Sequence, residues 1–128
     1  MESLDYTVET KKGFDEAVEA VQAKSREKSF GVLHVHDVQA TLAGKGFPRG
    51  PLKIIEICHP QHAHDVLEKD VKISLMLPCP ISVYVENGTT YISALRPRLM
   101  AGFYPHAHIE SVADTVDRAI MAIVDEAK

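Results

Sequence analysis

The stretch Ile81-Ser82-Val83-Tyr84-Val85-Glu86-Asn87-Gly88-Thr89-Thr90-Tyr91-Ile92-Ser93-Ala94-Leu95 holds two alternating, β-branched and aromatic runs joined by two residues. A type I′ turn needs positive φ at both central positions, which Asn and Gly tolerate best. Asn87-Gly88 therefore predicts a β-hairpin with strands over 81–86 and 89–95. The segments on either side decide what packs on this sheet.

Towards the N-terminus, the alternation predicts strands at Tyr6–Thr10, Phe30–Val38, Leu52–Cys58 and Ile73–Leu77. Between them, Phe14, Ala17, Val18 and Val21 fall at helical spacing within Phe14–Lys28. Acidic residues lie in its first turn and Lys24, Arg26 and Lys28 in its last, as the helix macrodipole favours. His59-Pro60 opens a second helix reaching about Lys69, because proline is tolerated where the N–H would be unpaired anyway. A short helical turn over Val38–Ala43 precedes the breaker cluster Gly44, Gly46, Pro48, Gly50 and Pro51. Beyond the hairpin, Pro97–Pro105 is irregular but apolar, and its Leu99, Met100, Phe103 and Tyr104 are expected to cover a core edge or a dimer contact. The last helix, Glu110–Glu126, carries Val112, Val116, Ala119, Ile120, Ile123 and Val124 on one face. The order β-α-β-β-α-β-β-β-α predicts a two-layer α+β fold, a mixed sheet with helices packed on one face.

The 128 residues suit one domain, and 45% hydrophobic content suffices for a core. A net charge of -4 with scattered basic residues argues against a nucleic-acid partner, which needs a concentrated basic footprint. No run approaches the roughly 18 apolar residues of a membrane span. The acidic opening Met1-Glu2-Ser3-Leu4-Asp5 does not read as a signal peptide, so the expected location is the cytoplasm. The two cysteines, Cys58 and Cys79, have neither CxxC nor zinc-finger spacing and are expected to be free thiols there. Gly44-Lys45-Gly46 lacks the spacing of a phosphate-binding loop, no Gly-x-Ser-x-Gly elbow occurs, and no catalytic residue is assigned.

Several features together resemble one family: Tyr6, Phe14, Phe30-Gly31-Val32, Asp37-Val38, Leu42, Lys45-Gly46, Glu56-Ile57-Cys58-x-Pro60, Leu77-Pro78-Cys79, and Val83-Tyr84 before the turn. The chain resembles the domain of unknown function 302 over residues 4 to 125, the Cys-x-Pro and Leu-Pro-Cys pair being the specific part. The resemblance implies a compact two-layer α/β fold and self-association as a homodimer, but no established activity. Two positions depart from the family pattern. His59 stands where the family usually has an Asn able to cap the helix, and Pro80 stands where a basic residue is typical.

Cys58 ends a strand just before a helix N-terminus, where the macrodipole favours a thiolate. That position suits a nucleophile, a sulfur carrier or a metal ligand, and equally a small apolar residue closing the strand. Cys79, between Pro78 and Pro80, is held rigidly at a sheet edge, a bulge or a strand start, since two prolines remove ladder donors. His34 and His36, two apart in a strand, share a face, with Phe30 and Val32 expected on the same side. His62 and His64 in a helix point about 200° apart and cannot share a site, whereas His59 and His62 can. His106 and His108 lie in the loop before the last helix and are secondary candidates, as is His62.

Soft thiolates and imidazoles suit zinc, copper or haem iron. The preferred expectation is a non-enzymatic homodimer that binds such a metal through Cys58, His59, Cys79, His34 and His36. Thiol chemistry at Cys58 with Cys79 as its partner is one alternative. A small-molecule-binding or structural module in which both cysteines pack is the other.

Overall fold

The computed structural model describes residues 3–128, so Met1 and Glu2 of the acidic opening lie outside the described residues. The central hairpin forms as the sequence demands. Strand β4 (Cys79–Glu86) and strand β5 (Thr89–Leu95) pair antiparallel, with Asn87 at φ 52° and Gly88 at φ 79° in the turn. Strand β1 (Asp5–Thr10) joins the free side of β5, strand β3 (Leu52–Cys58) joins β4, and strand β2 (Gly31–Asp37) joins β3. The sheet order is β1-β5-β4-β3-β2.

Every neighbouring pair is antiparallel, so the expected mixed sheet is corrected to a wholly antiparallel one. The sixth strand anticipated at 73–77 is also absent: Val71–Met76 is a 3₁₀ segment. Its start is fixed by the Asp70 carboxylate, which accepts the Lys72 N–H at 2.9 Å. It has no place beside β3 or β4, because β4 begins at Cys79, opposite Ile57, and β3 is paired on both sides. Val71, Ile73 and Leu75 alternate in sequence as a strand would, but at three residues per turn they fall on different sides, with Ile73 buried and Val71 and Leu75 exposed.

Helices α1 (Phe14–Glu27), α3 (Pro60–Lys69) and α5 (Glu110–Ala127) lie close to their expected bounds, as does the short α2 (Val38–Ala43). Pro97–Met100 forms one further short helix, α4, followed by 3₁₀ turns at Ala101–Phe103 and Pro105–Ala107. The long helices α1 and α5 share one face of the sheet. Their buried Val21, Ile120 and Ile123 meet Ile55, Ile57, Ile81, Val83 and Ile92 of the strands. The expectation of helices packed on one face of a two-layer α+β fold therefore holds. Among the described residues no helix is long and apolar enough to cross a membrane.

A second, smaller cluster sits beside this core: Val66, Ile73, Ala101, Ala107, Ile109 and Ala113, contributed by α3, the 3₁₀ turns and α5. A buried ion pair fastens that corner. Arg96 donates to Asp117 through Nε at 3.2 Å and Nη2 at 2.9 Å, and the Arg98 backbone N–H donates to the same carboxylate at 3.2 Å. Asp117 is only 2% exposed.

Candidate functional site

The register that places Cys79 opposite Ile57 makes Cys58 the next residue along β3, where the strand gives way to α3. Both cysteines line one cavity of about 70 Å³, between the ends of β3 and β4, helix α3, the 3₁₀ segment and α5. Its walls are otherwise largely aliphatic and thioether, with Val66, Ile73, Met76, Met100, Ala101 and Ala113. His59, His62 and Tyr104 also border it, but almost none of its surface is polar. Pro80 has a register partner only on the β3 side, Glu56, because the β5 ladder begins at Ile81 opposite Ala94. Cys79 is thus at a strand start, one of the three positions its flanking prolines permit.

His59 is the N-cap of α3, its Nδ1 accepting the His62 backbone N–H at 3.4 Å. The His59 side chain thus supplies the capping acceptor expected at this position. The His59 and His62 rings stack with centroids 4.0 Å apart, and Phe30 meets His59 edge-on at 5.4 Å. Burial first, and the neighbouring His59 second, hold His62 below the ordinary imidazole range, against a smaller opposing pull from Asp65. His64 instead points outward, its Nε2 3.9 Å from Glu68.

The thiols do not behave as the macrodipole argument anticipates. Burial pushes Cys58 above the ordinary thiol value. Cys79 is pushed up to about 11, first by burial and then by the nearby Cys58. Desolvation thus opposes the depression that the helix start would favour, and the His59 side chain already takes one α3 amide.

The candidate ligands are divided between two places. Cys58, His59 and Cys79 surround the cavity, whereas His34 and His36 lie on exposed positions of the edge strand β2. Their rings do share a face, in an edge-on contact at 4.3 Å, and His36 Nε2 meets Glu56 Oε1 at 2.6 Å. Phe30 and Val32 are not on that face, contrary to expectation. A β-bulge at Leu33 shifts the phase, so Val32 pairs with core residue Ile57 while His34 pairs with Glu56 on the opposite face. Among the described residues no group of three or more His, Cys, Asp and Glu side chains stands together as a metal-holding set. His106 and His108 are exposed beside the last 3₁₀ turn and do not line the cavity. A haem fits poorly as well, since sites for ligands of drug size or larger run to about 300–1,000 Å³.

Met76, Met100, Tyr104 and Ala113 were not anticipated as cavity residues. The signal available in sequence was Asp117, a charge inside the apolar stripe of α5, which marks the corner where the Pro97 segment docks.

The comparisons with known proteins agree with this fold. The family model "Domain of unknown function DUF302" matches residues 6–127. The crystal structure of an uncharacterized conserved protein DUF302 from Bacillus stearothermophilus is 30% identical, with a TM-score of 0.93, over 99% of this chain and 100% of that one. No match was found among curated proteins. The chain belongs to the DUF302 family.

Proposed function

We propose that this domain is a binding module for a small apolar molecule, held in the cavity between Cys58, Cys79, α3 and α5. One observation carries the reading: a cavity lined by both thiols, by Met76 and Met100 and by aliphatic side chains of α3 and α5, with almost no polar surface facing it. An apolar wall of this kind supplies affinity for an apolar guest. An engineered cavity of about 150 Å³ accepts benzene, so half that volume takes roughly three heavy atoms. Dichloromethane, a probe of that size, is the direct test. It is expected to move the amide resonances of Ala63, Val66, Met100 and Ala113 at millimolar concentration, and Ala113→Leu is expected to abolish the effect in a folded protein. Unchanged wild-type resonances at those residues would contradict the reading.

A second reading, a site for monovalent copper, is supported by the same cavity collecting the two thiols of Cys58 and Cys79 and the thioethers of Met76 and Met100. Thiol and thioether donors suit that soft ion, which accepts fewer ligands than zinc. Copper(I) competition against a chromogenic chelator tests it: stoichiometric uptake lost in Cys58→Ser and Cys79→Ser supports it, and uptake unaffected by both substitutions rejects it.

Self-association as a homodimer is part of the proposal. The sheet face away from α1 and α5 presents Ile54 and the stacked Tyr84 and Tyr91, half-buried in the isolated chain, and Leu33 on the β2 edge is 60% exposed. Sedimentation equilibrium with a Tyr84→Lys variant would separate a dimer through this face from a monomer.

A further inference from the structure

We infer that His34 and His36 form a separate surface site, a two-imidazole chelate for a divalent late transition-metal ion, Ni²⁺ or Cu²⁺. Both histidines are exposed on the edge strand β2, and neither lines the cavity between Cys58 and Cys79. The site is therefore independent of the binding-module reading. Its starting point is the bulge. In an unbroken ladder running on from Val32 opposite Ile57, His34 would stand opposite Ile55 and His36 opposite Lys53. The bulge at Leu33 instead sets His34 opposite Glu56 and His36 opposite Ile54, which turns both imidazoles to the face away from the core. Bulges at sheet edges often re-aim side chains beside functional sites.

The two rings meet edge-on with centroids 4.3 Å apart. Two imidazole nitrogens bound to one ion at about 2.0–2.1 Å lie roughly 3 Å from each other, a separation that exposed rings at this distance reach by rotating. Glu56 is their positioning residue. It stands directly opposite His34, and its Oε1 meets His36 Nε2 at 2.6 Å. A carboxylate only accepts, so Nε2 carries the proton and the neutral ring keeps its lone pair on Nδ1. Metal-ligating histidines are held by carboxylates in this way, which fixes the tautomer and makes the other nitrogen more basic. Glu56 thus acts through His36, and the protein supplies two ligands rather than the three or more of a closed site. Imidazole nitrogens with open positions left to water suit Ni²⁺ and Cu²⁺, which stand high in the Irving–Williams order and accept tetragonal sets. Calcium and magnesium take oxygen ligands instead. The pair His62 and His64 has no such arrangement, because His62 lines the cavity and His64 points outward to Glu68.

The test is a calorimetric titration of the untagged protein with Ni²⁺, a probe that the thiols do not reduce, followed in parallel by amide NMR. One equivalent is expected to bind, with paramagnetic broadening centred on His34, His36, Ile54 and Glu56. His34→Ala and His36→Ala, both at exposed positions, are each expected to weaken binding about tenfold or more, since a chelate gains most of its affinity from the second arm. Glu56→Gln leaves both imidazoles in place and is expected to weaken binding about tenfold, the usual effect of removing a carboxylate behind a ligating histidine. His64→Ala is expected to change nothing. No uptake at excess Ni²⁺, an affinity unchanged in both His34→Ala and His36→Ala, or broadening centred on other histidines would overturn the site. An affinity unchanged in Glu56→Gln would overturn the positioning role.

Discussion

The His59 ring lies on the His62 ring at 4.0 Å and its Nδ1 accepts the His62 backbone N–H, so one side chain both caps α3 and borders the cavity. Removing a capping acceptor costs about 0.5–2 kcal/mol. His59→Ala is therefore expected to lower the urea-denaturation stability by about 1 kcal/mol. His59→Asn, which keeps a side-chain capping acceptor, is expected to recover most of it. Equal losses in the two variants would show that ring packing, rather than the cap, is what His59 supplies.

The Arg96–Asp117 pair is expected to be among the costliest polar contacts to break. Asp117→Ala removes the acceptor of two guanidinium bonds and of the Arg98 N–H inside a nearly closed environment. Deleting one partner of a buried pair costs about 3–5 kcal/mol. Asp117→Asn keeps an acceptor and is expected to lose less, as equilibrium unfolding would record.

Alkaline pH should weaken the fold through Cys79. Its folded-state thiol holds a proton to about 11, whereas an ordinary thiol releases it near 9.0. Between those values the unfolded chain binds fewer protons than the native one, so stability is full below pH 9 and falls as pH rises towards 11. The slope approaches about 1.4 kcal/mol per pH unit. A Cys79→Ala variant is expected to start less stable but to show a shallower fall, visible in denaturation midpoints taken across this range.

Slow thiol modification is expected for the same reason. At pH 8 iodoacetamide should react with half-buried Cys58 more slowly than with a free cysteine, and with buried Cys79 hardly at all. Mass spectrometry of the digested protein separates the two sites. A Cys58 faster than free cysteine would instead restore the thiolate chemistry that its helix-start position suggests.

Local chemistry made much of the fold legible. Asn87-Gly88 announces its hairpin because few other residues accept two positive φ values, and α1 and α5 follow from apolar stripes that only a helix can gather onto one face. Ile73–Leu77 misleads because its apolar residues alternate as in a strand, whereas the 3₁₀ segment that Asp70 starts buries Ile73 and leaves Leu75 exposed. The bulge at Leu33 is hard to read as well: it turns Val32 and His34 to opposite faces, and the nearest breaker, Gly31, stands two residues before it. At the site, Cys58, His59, His62 and Cys79 stood out in sequence, and the cavity brings all four together. Met76, Met100, Tyr104 and Ala113 did not, because their convergence depends on how α4 and the 3₁₀ turns fold back against α5, a long-range outcome that no local pattern encodes.

The central claim is that the Cys58–Cys79 cavity admits an apolar guest. A crystal of this protein pressurised with xenon tests it most directly, since xenon enters apolar cavities of this kind. The expected result is one ordered xenon among Cys79, Met100 and Ala113 in the wild type and none there in Ala113→Leu. Xenon absent from this cavity, or bound only elsewhere on the surface, would contradict the account.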